Sequence, residues 1–246
     1  MITLYQFEIS PFCDKVRRIL NLKRVPYRIE EVPPSKTLSV VRKLNPAGKL
    51  PFLVEDGRVV ADSTDIAWYL DERHPEPRLI PEDPYQRALC HVLEDWADES
   101  LYFYEMRLRF TLPHNARRFI PELVKYERPL VQKIAPLAMP IVLRRTVASQ
   151  GIGKKPLEVV LRDIERHLEA IQGLLAGGND WLLGDHITLA DISVFAQLFC
   201  IRASDEGSRM VAARPVVADW MARVEGSTGP RSDDHSPGQA AAMSRR

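Results

Sequence analysis

Residues 51–65 read Pro51-Phe52-Leu53-Val54-Glu55-Asp56-Gly57-Arg58-Val59-Val60-Ala61-Asp62-Ser63-Thr64-Asp65. Two β-rich runs, Phe52–Glu55 and Arg58–Ala61, flank Asp56-Gly57, a pair that suits a type I′ turn because both central positions need positive φ. A hairpin is predicted. Asp62-Ser63-Thr64-Asp65 then supplies cap residues for a helix from about Ser63 to Arg73, with Ile66, Ala67 and Leu70 on one face. Upstream, Ile2 and Leu4 alternate as in a strand, Val16, Ile19 and Leu20 follow helical spacing, and Tyr27, Ile29 and Glu31 return to period two. A second helix is expected over 35–44, ended by Asn45-Pro46-Ala47-Gly48, whose proline and glycine oppose helix continuation. The order is β-α-β-α-β-β-α.

The chain beyond has a different grammar. Residues 74–84 hold four prolines among eleven residues and no periodicity, which reads as a linker. After it every periodic segment is helical: Ala88, Leu89, Val92, Leu93 and Trp96 recur at steps of three and four, as do Leu157, Val160, Leu161, Ile164, Leu168, Ile171 and Leu175. Pro156 and Gly177-Gly178 punctuate the two ends of the latter helix. Between these segments Pro113, Pro121, Pro129, Pro136 and Pro140 imply several short or kinked helices. The expected division is an α/β domain over 1–75, a linker over 76–84, an all-α bundle over 85–225, and a disordered tail over 226–246 with too few apolar residues to offset ordering entropy.

Composition narrows the function. The 246 residues carry 34 Lys+Arg and 33 Asp+Glu, a net charge of +1, so no global basic field gathers nucleic acid. Cys13, Cys90 and Cys200 are odd in number and far apart, which argues against a disulfide framework and fits a reducing, cytoplasmic setting. The opening residues show no secretory pattern, and the most apolar stretch, 134–147, contains two prolines and Arg144-Arg145, so no membrane span is expected. Neither H-x-x-x-H nor C-x-x-C is present, and no metal is expected. The histidines have no ligand spacing.

Ser10-Pro11-Phe12-Cys13 lies where the first strand gives way to the first helix, with Pro11 suited to the first helical turn and Ser10 at its cap. Unpaired N–H groups and the positive end of the helix dipole stabilise an anion there, and a serine hydroxyl donates one further hydrogen bond. With this motif after strand one, the β-α-β-α-β-β-α module resembles the thioredoxin-like N-terminal domain of the glutathione transferases, which is followed by an all-helical C-terminal domain. Asn45-Pro46-Ala47-Gly48-Lys49-Leu50-Pro51-Phe52-Leu53 resembles the family's loop into a cis-proline, and Asp62-Ser63 its Glu/Gln-Ser pair. Trp181-Leu182-Leu183-Gly184-Asp185-His186-Ile187-Thr188-Leu189-Ala190-Asp191-Ile192 resembles the signature of the helical domain. This last stretch has its own logic: Thr188 and Asp191 form a capping box, with Ile187 and Ile192 placed as its hydrophobic staple.

The resemblance implies glutathione as co-substrate, with Ser10 activating its thiol for attack on an apolar electrophile, as in members with Ser-Pro-Phe of plant tau type. It implies a glutathione site of Phe12, Lys49, Leu50, Pro51, Asp62 and Ser63, in which Leu50 offers backbone groups, Asp62 and Ser63 face the γ-glutamyl end, and Lys49 faces the glycyl carboxylate. Tyr102, Tyr104 and Phe110 are candidates for the electrophile pocket. A homodimer is also implied. Two other readings stand beside this one. Cys13, at the resolving position of a Cys-x-x-Cys motif that lacks its first cysteine, would serve a thiol transferase or reductase. Residues 151–175 loosely resemble the metaxin and failed-axon-like branch, which would make the chain a non-catalytic binding protein.

Overall fold

The computed structural model of the chain describes residues 1–36, 39, 41–46 and 48–229. The expected tail beyond Gly229, Ala47 and part of the 35–44 segment lie outside the described residues. The first domain is β1 (Ile2–Gln6), α1 (Pro11–Leu22), β2 (Tyr27–Glu31), a short helical turn α2 (Arg42–Leu44), β3 (Phe52–Glu55), β4 (Arg58–Ala61) and α3 (Ser63–Arg73). The sheet order is β2-β1-β3-β4, with β1 and β2 parallel and the other pairs antiparallel. The hairpin stands where its turn chemistry puts it: Asp56 and Gly57 have φ of 49° and 84°. Over 35–44 the described residues show a 3-10 turn, Pro34–Lys36, helical backbone at Ser39 and Val41, and the three-residue α2.

The helical domain begins with α4 (Pro84–Trp96), continues through a π-turn (Ala97–Leu101), α5 (Tyr102–Met106) and a second π-turn (Arg107–Thr111), and then folds back as α6 (Pro113–Leu123) and α7 (Pro129–Gln150). Prolines 113 and 129 open their helices, where a missing N–H costs nothing. Pro121, Pro136 and Pro140 lie inside helices, so the segment is less broken than its proline count implied. α8 (Leu157–Leu174), α9 (Leu189–Arg202), α10 (Asp205–Ala212) and α11 (Pro215–Thr228) complete the bundle. Gly153 lets the chain turn close behind α7, because a Cβ there would sit 2.6 Å from the Ala148 nitrogen.

The two domains share one apolar core, in which Leu4, Ile19, Leu53 and Leu70 belong to the same buried cluster as Ile164, Leu168, Phe195 and Trp220. Residues 74–84 are correspondingly tied down. The buried Lys23 ammonium donates to Asp71 and to the carbonyls of His74 and Pro77, while Asp71 accepts from the N–H groups of Leu79 and Ile80. At the far end α11 runs to Thr228, beyond the limit at Glu225 read from the sequence. Arg18 donates to the Thr228 hydroxyl and Asn21 to its carbonyl, which gives those residues partners.

The signature of the helical domain is a buried carboxylate with four donors. Asp191 accepts from the Thr188 N–H and hydroxyl at 2.9 and 2.8 Å, and from Leu182 N–H and Trp220 Nε1 at 2.8 and 2.9 Å. Burial pushes its carboxyl up against the pull of these bonds. The capping box at Thr188 thereby anchors α9 to α11 and to the loop before it.

Candidate functional site

Ser10 caps α1 by position. Its backbone is extended, the Asp14 N–H donates to its carbonyl at 3.0 Å, and its hydroxyl makes no capping bond to the helix. The hydroxyl is half-buried at the mouth of a cavity of about 250 Å³. Beside it, Leu50–Pro51 is a cis peptide bond. The register that pairs Tyr5 with Phe52 sets Pro51 level with Gln6, at the end of β1 from which the Ser10 loop departs. Lys49 and its neighbour Leu50 lie on the loop between α2 and β3, the Lys49 carbonyl held by the Asn45 side chain at 2.8 Å and its own side chain exposed.

Asp62 caps α3, accepting from the Thr64 N–H at 2.9 Å, and takes φ of 76°, a region disfavoured for residues other than glycine. Ser63 follows, 5% exposed, its hydroxyl 3.5 Å from Asp98. Behind the pair lies a charged group that the sequence reading missed. The Lys15 ammonium, 1% exposed, bonds Asp98 at 2.7 Å, Thr64 at 3.4 Å, and Glu94. Thr64 also donates to Glu94. Lys15 thus joins α1, the start of α3 and the first π-turn. Its only sequence signal is a lysine on the apolar face of α1 together with acids four residues apart on another helix.

Burial would lower the Lys15 pKa, but Asp98 and Glu94 prevail and hold it above its usual value. Burial pushes the Asp98 carboxyl up from 3.8 to about 6, with Lys15 opposing and Glu94 adding to the rise. The native state therefore holds this proton more tightly than the unfolded chain does, and stability falls as pH rises from about 4 to about 6 through this group. Urea titrations across that window should show wild type losing stability relative to Asp98→Asn as pH increases. A pH-independent difference would contradict the assignment. Asp98 Oδ1 is buried without a hydrogen-bond partner, an acceptor that faces the same network.

The aromatic candidates separate. Phe12 packs on Tyr102 with ring centroids 4.9 Å apart, so both stay near Ser10. Tyr104 does not line the cavity. It is 5% exposed and its hydroxyl bonds Asp163 at 3.3 Å, with Lys155 donating to it at 3.4 Å. Phe110 is likewise buried, against Phe119 and beneath Arg109. The cavity lining is instead mixed, with Glu8, Asp14 and Glu122 beside Arg17, Arg109 and Lys125, and Ile9, Ser10, Phe119, Phe199, Cys200 and Ala203 making up the rest; Phe12 and Tyr102 are not part of it. The Arg109 guanidinium lies 4.8 Å from the centroids of both Phe110 and Phe119 and pairs with Glu105 at 3.1 Å. The turn between α6 and α7 reaches back over the first domain. Lys125 and Tyr126 bond Glu8 at 2.5 and 2.8 Å, and Glu127 accepts from the Ser35 N–H and hydroxyl at 2.7 Å each.

Cys13 faces the core, fully buried, accepting from the Phe7 N–H at 3.3 Å; burial pushes its thiol up to about 11. Among the described residues no cluster of His, Cys, Asp and Glu is arranged to hold a metal ion, and no helix is long and apolar enough to cross a membrane.

Similarities to known proteins run across both domains. The N-terminal domain model of the glutathione S-transferases matches residues 4–78 and the C-terminal domain model residues 126–223, together more than half of the chain. A glutathione S-transferase of Arabidopsis thaliana is 32% identical over 100 residues, covering 40% of this chain and 44% of that protein, so the chain spans less than half of that relative's length. FtsZ-localized protein A of Caulobacter vibrioides is 29% identical over 208 residues, 81% of this chain and 76% of that one. The crystal structure of a glutathione S-transferase from Rhodospirillum rubrum superposes with a TM-score of 0.65 at 27% identity, covering 92% of this chain and 88% of that one. With a thioredoxin-like sheet, a helical second domain and both domain models matched, the chain belongs to the glutathione S-transferase superfamily.

Proposed function

We propose that the chain is a glutathione transferase in which Ser10 donates a hydrogen bond to the thiolate of glutathione and so readies it for attack on an electrophilic carbon. The observation that carries this reading is Ser10 itself: a residue at the head of the twelve-residue α1 and on the wall of a partly apolar cavity, whose hydroxyl is not spent on capping and lies within hydrogen-bond reach of the Cys13 thiol. The thiolate gains from the unpaired N–H groups and dipole of α1, and one hydroxyl donor adds to them. A free thiol near pKa 8.5 is only a few per cent ionised at neutral pH, so this stabilisation sets the reactive fraction.

The chain's other groups fit the tripeptide. Leu50, beside the cis-proline, presents backbone N–H and C=O to its cysteinyl part as an added strand would. Ser63 and Asp62, at the N-terminus of α3, suit an α-carboxylate and an α-ammonium, and the unpartnered Oδ1 of Asp98 is an acceptor for a donor brought by the ligand. Lys49 suits the glycyl carboxylate. Ile9, Phe119 and Phe199 give the electrophile an apolar wall, and Phe12 packs on Tyr102 outside that lining. A homodimer accompanies the reading, and Trp68, Tyr85 and Val92 offer it exposed apolar side chains on α3 and α4.

Burial argues against redox chemistry at Cys13. Burial also pushes the Cys90 thiol up to about 11 and that of Cys200 to about 12. A chromogenic disulfide reagent at neutral pH is expected to leave the native protein unmodified and to titrate three thiols in denaturant. Rapid native reaction at Cys13 would restore the thiol-transferase reading. The binding-protein reading draws on the Caulobacter relative, which matches most of the chain and is named for where it localises rather than for an activity. Retention on immobilised glutathione and conjugation of a generic aryl halide, with Cys13→Ala as active as wild type, are the results expected of the transferase. No retention and no turnover would favour the binding protein.

A further inference from the structure

Helix α7 is apolar on two faces, and the described residues cover only one. Ala135, Met139, Leu143 and Val147 turn inward to a cluster with Met106, Phe110 and Ile120. Outward stand Leu130, Ile134, Leu137 and Ile141, exposed by 69, 50, 78 and 55% and spaced by four, three and four residues, with exposed Val131 and Val142 beside them. That spacing makes a single stripe. A helix apolar all round is ordinarily buried all round, and a contiguous exposed aliphatic stripe marks a surface that something covers.

The charge around the stripe says what. From 128 to 157 the sequence holds Arg128, Lys133, Arg144, Arg145, Lys154 and Lys155 and neither Asp nor Glu. Lys155 pairs with Asp163 and Arg144 donates to the Thr111 carbonyl, while Arg128, Lys133, Arg145 and Lys154 are exposed and enter no ion pair among the described residues. A second copy pairing through this face about a twofold axis would bring these cations against themselves with no carboxylate between them. A protein partner would anchor on Trp, Tyr or Arg in the middle of the patch, and the middle here is Leu and Ile. Aliphatic residues flanked by Lys and Arg are the composition of a helix lying in the plane of an anionic bilayer surface.

We propose that α7 is a docking surface for an anionic phospholipid membrane, engaged lying flat with Leu130, Ile134, Leu137 and Ile141 at the acyl boundary and the flanking cations on the headgroups. The helix is ordered in advance. Its N-terminal end is fixed to the first domain by Lys125, Tyr126 and Glu127, and its C-terminal end by the close turn at Gly153.

The test is co-sedimentation of the full chain with extruded vesicles of phosphatidylcholine alone and of phosphatidylcholine mixed with phosphatidylserine. Association with the mixed vesicles only, weakening as salt is raised, is expected. Ile134→Gln/Leu137→Gln and Lys133→Glu/Arg145→Glu should each weaken it by about tenfold or more, with conjugation rate and thermal midpoint unchanged because all four side chains are exposed. No association of wild type with either vesicle overturns the proposal, as does equal association with both. A fall from dimer to monomer in the Ile134→Gln/Leu137→Gln protein also overturns it, by giving the stripe to a second copy. Loss of a co-purifying protein from that variant, without any vesicle effect, overturns it in favour of a protein partner.

Discussion

Replacing Lys15 by methionine should lower the free energy of unfolding by about 3–5 kcal/mol, the usual cost of removing one partner from a buried ion pair. The side chains are close in length, so packing changes little and charge decides the outcome. With the ammonium gone, Glu94 and Asp98 face each other at 2 and 9% exposure, hydrogen-bonded to Thr64 and Ser63 but with no cation. Acid should relieve the loss, because the Asp98 carboxyl becomes neutral more readily once Lys15 no longer opposes the effect of burial. Urea unfolding at neutral pH and near pH 5 checks both parts. A loss under about 1 kcal/mol at neutral pH would mean that the three groups do not act as one unit. Since Lys15 also holds Thr64, the variant should weaken retention on glutathione by misplacing the start of α3.

The residues that sequence alone could place are those with local causes. Asp56-Gly57 makes its turn with two positive φ values, Pro156 stands at the start of α8, and Thr188 with Asp191 closes a capping box, each within a few residues of its partner. Lys15 was illegible because its partners lie 79 and 83 residues away. Tyr104 and Phe110 stand outside the lining of the Ser10 cavity for another reason. Two π-turns interrupt the helix between Pro84 and Thr111, and each widened turn shifts the phase of every later side chain against a 3.6-residue count. The second π-turn carries Arg109 to the cavity and turns Phe110 into the core.

Ser10→Ala should reduce kcat/KM for conjugation by about ten- to a hundredfold, with glutathione retention nearly intact. A hydrogen bond to a charged group contributes about 1.5–3 kcal/mol, and this one exists in full only with the thiolate. The α1 N-terminus remains in the variant, so rate above the uncatalysed background should persist. Cys13 cannot take over, because its sulfur is buried and its thiol lies near 11. Fold stability should change by no more than about 1 kcal/mol, since the Ser10 hydroxyl makes no capping bond and, among the described residues, has only the Cys13 thiol as a side-chain partner.

The most direct measurement of Ser10's role is the ultraviolet titration of the thiolate of glutathione bound to wild type and to Ser10→Ala. The expected result is a bound thiol with a midpoint below that of free glutathione in wild type, raised by about one to two pH units in the variant. Identical midpoints in the two proteins, or a wild-type midpoint no lower than that of free glutathione, would contradict the role assigned to Ser10.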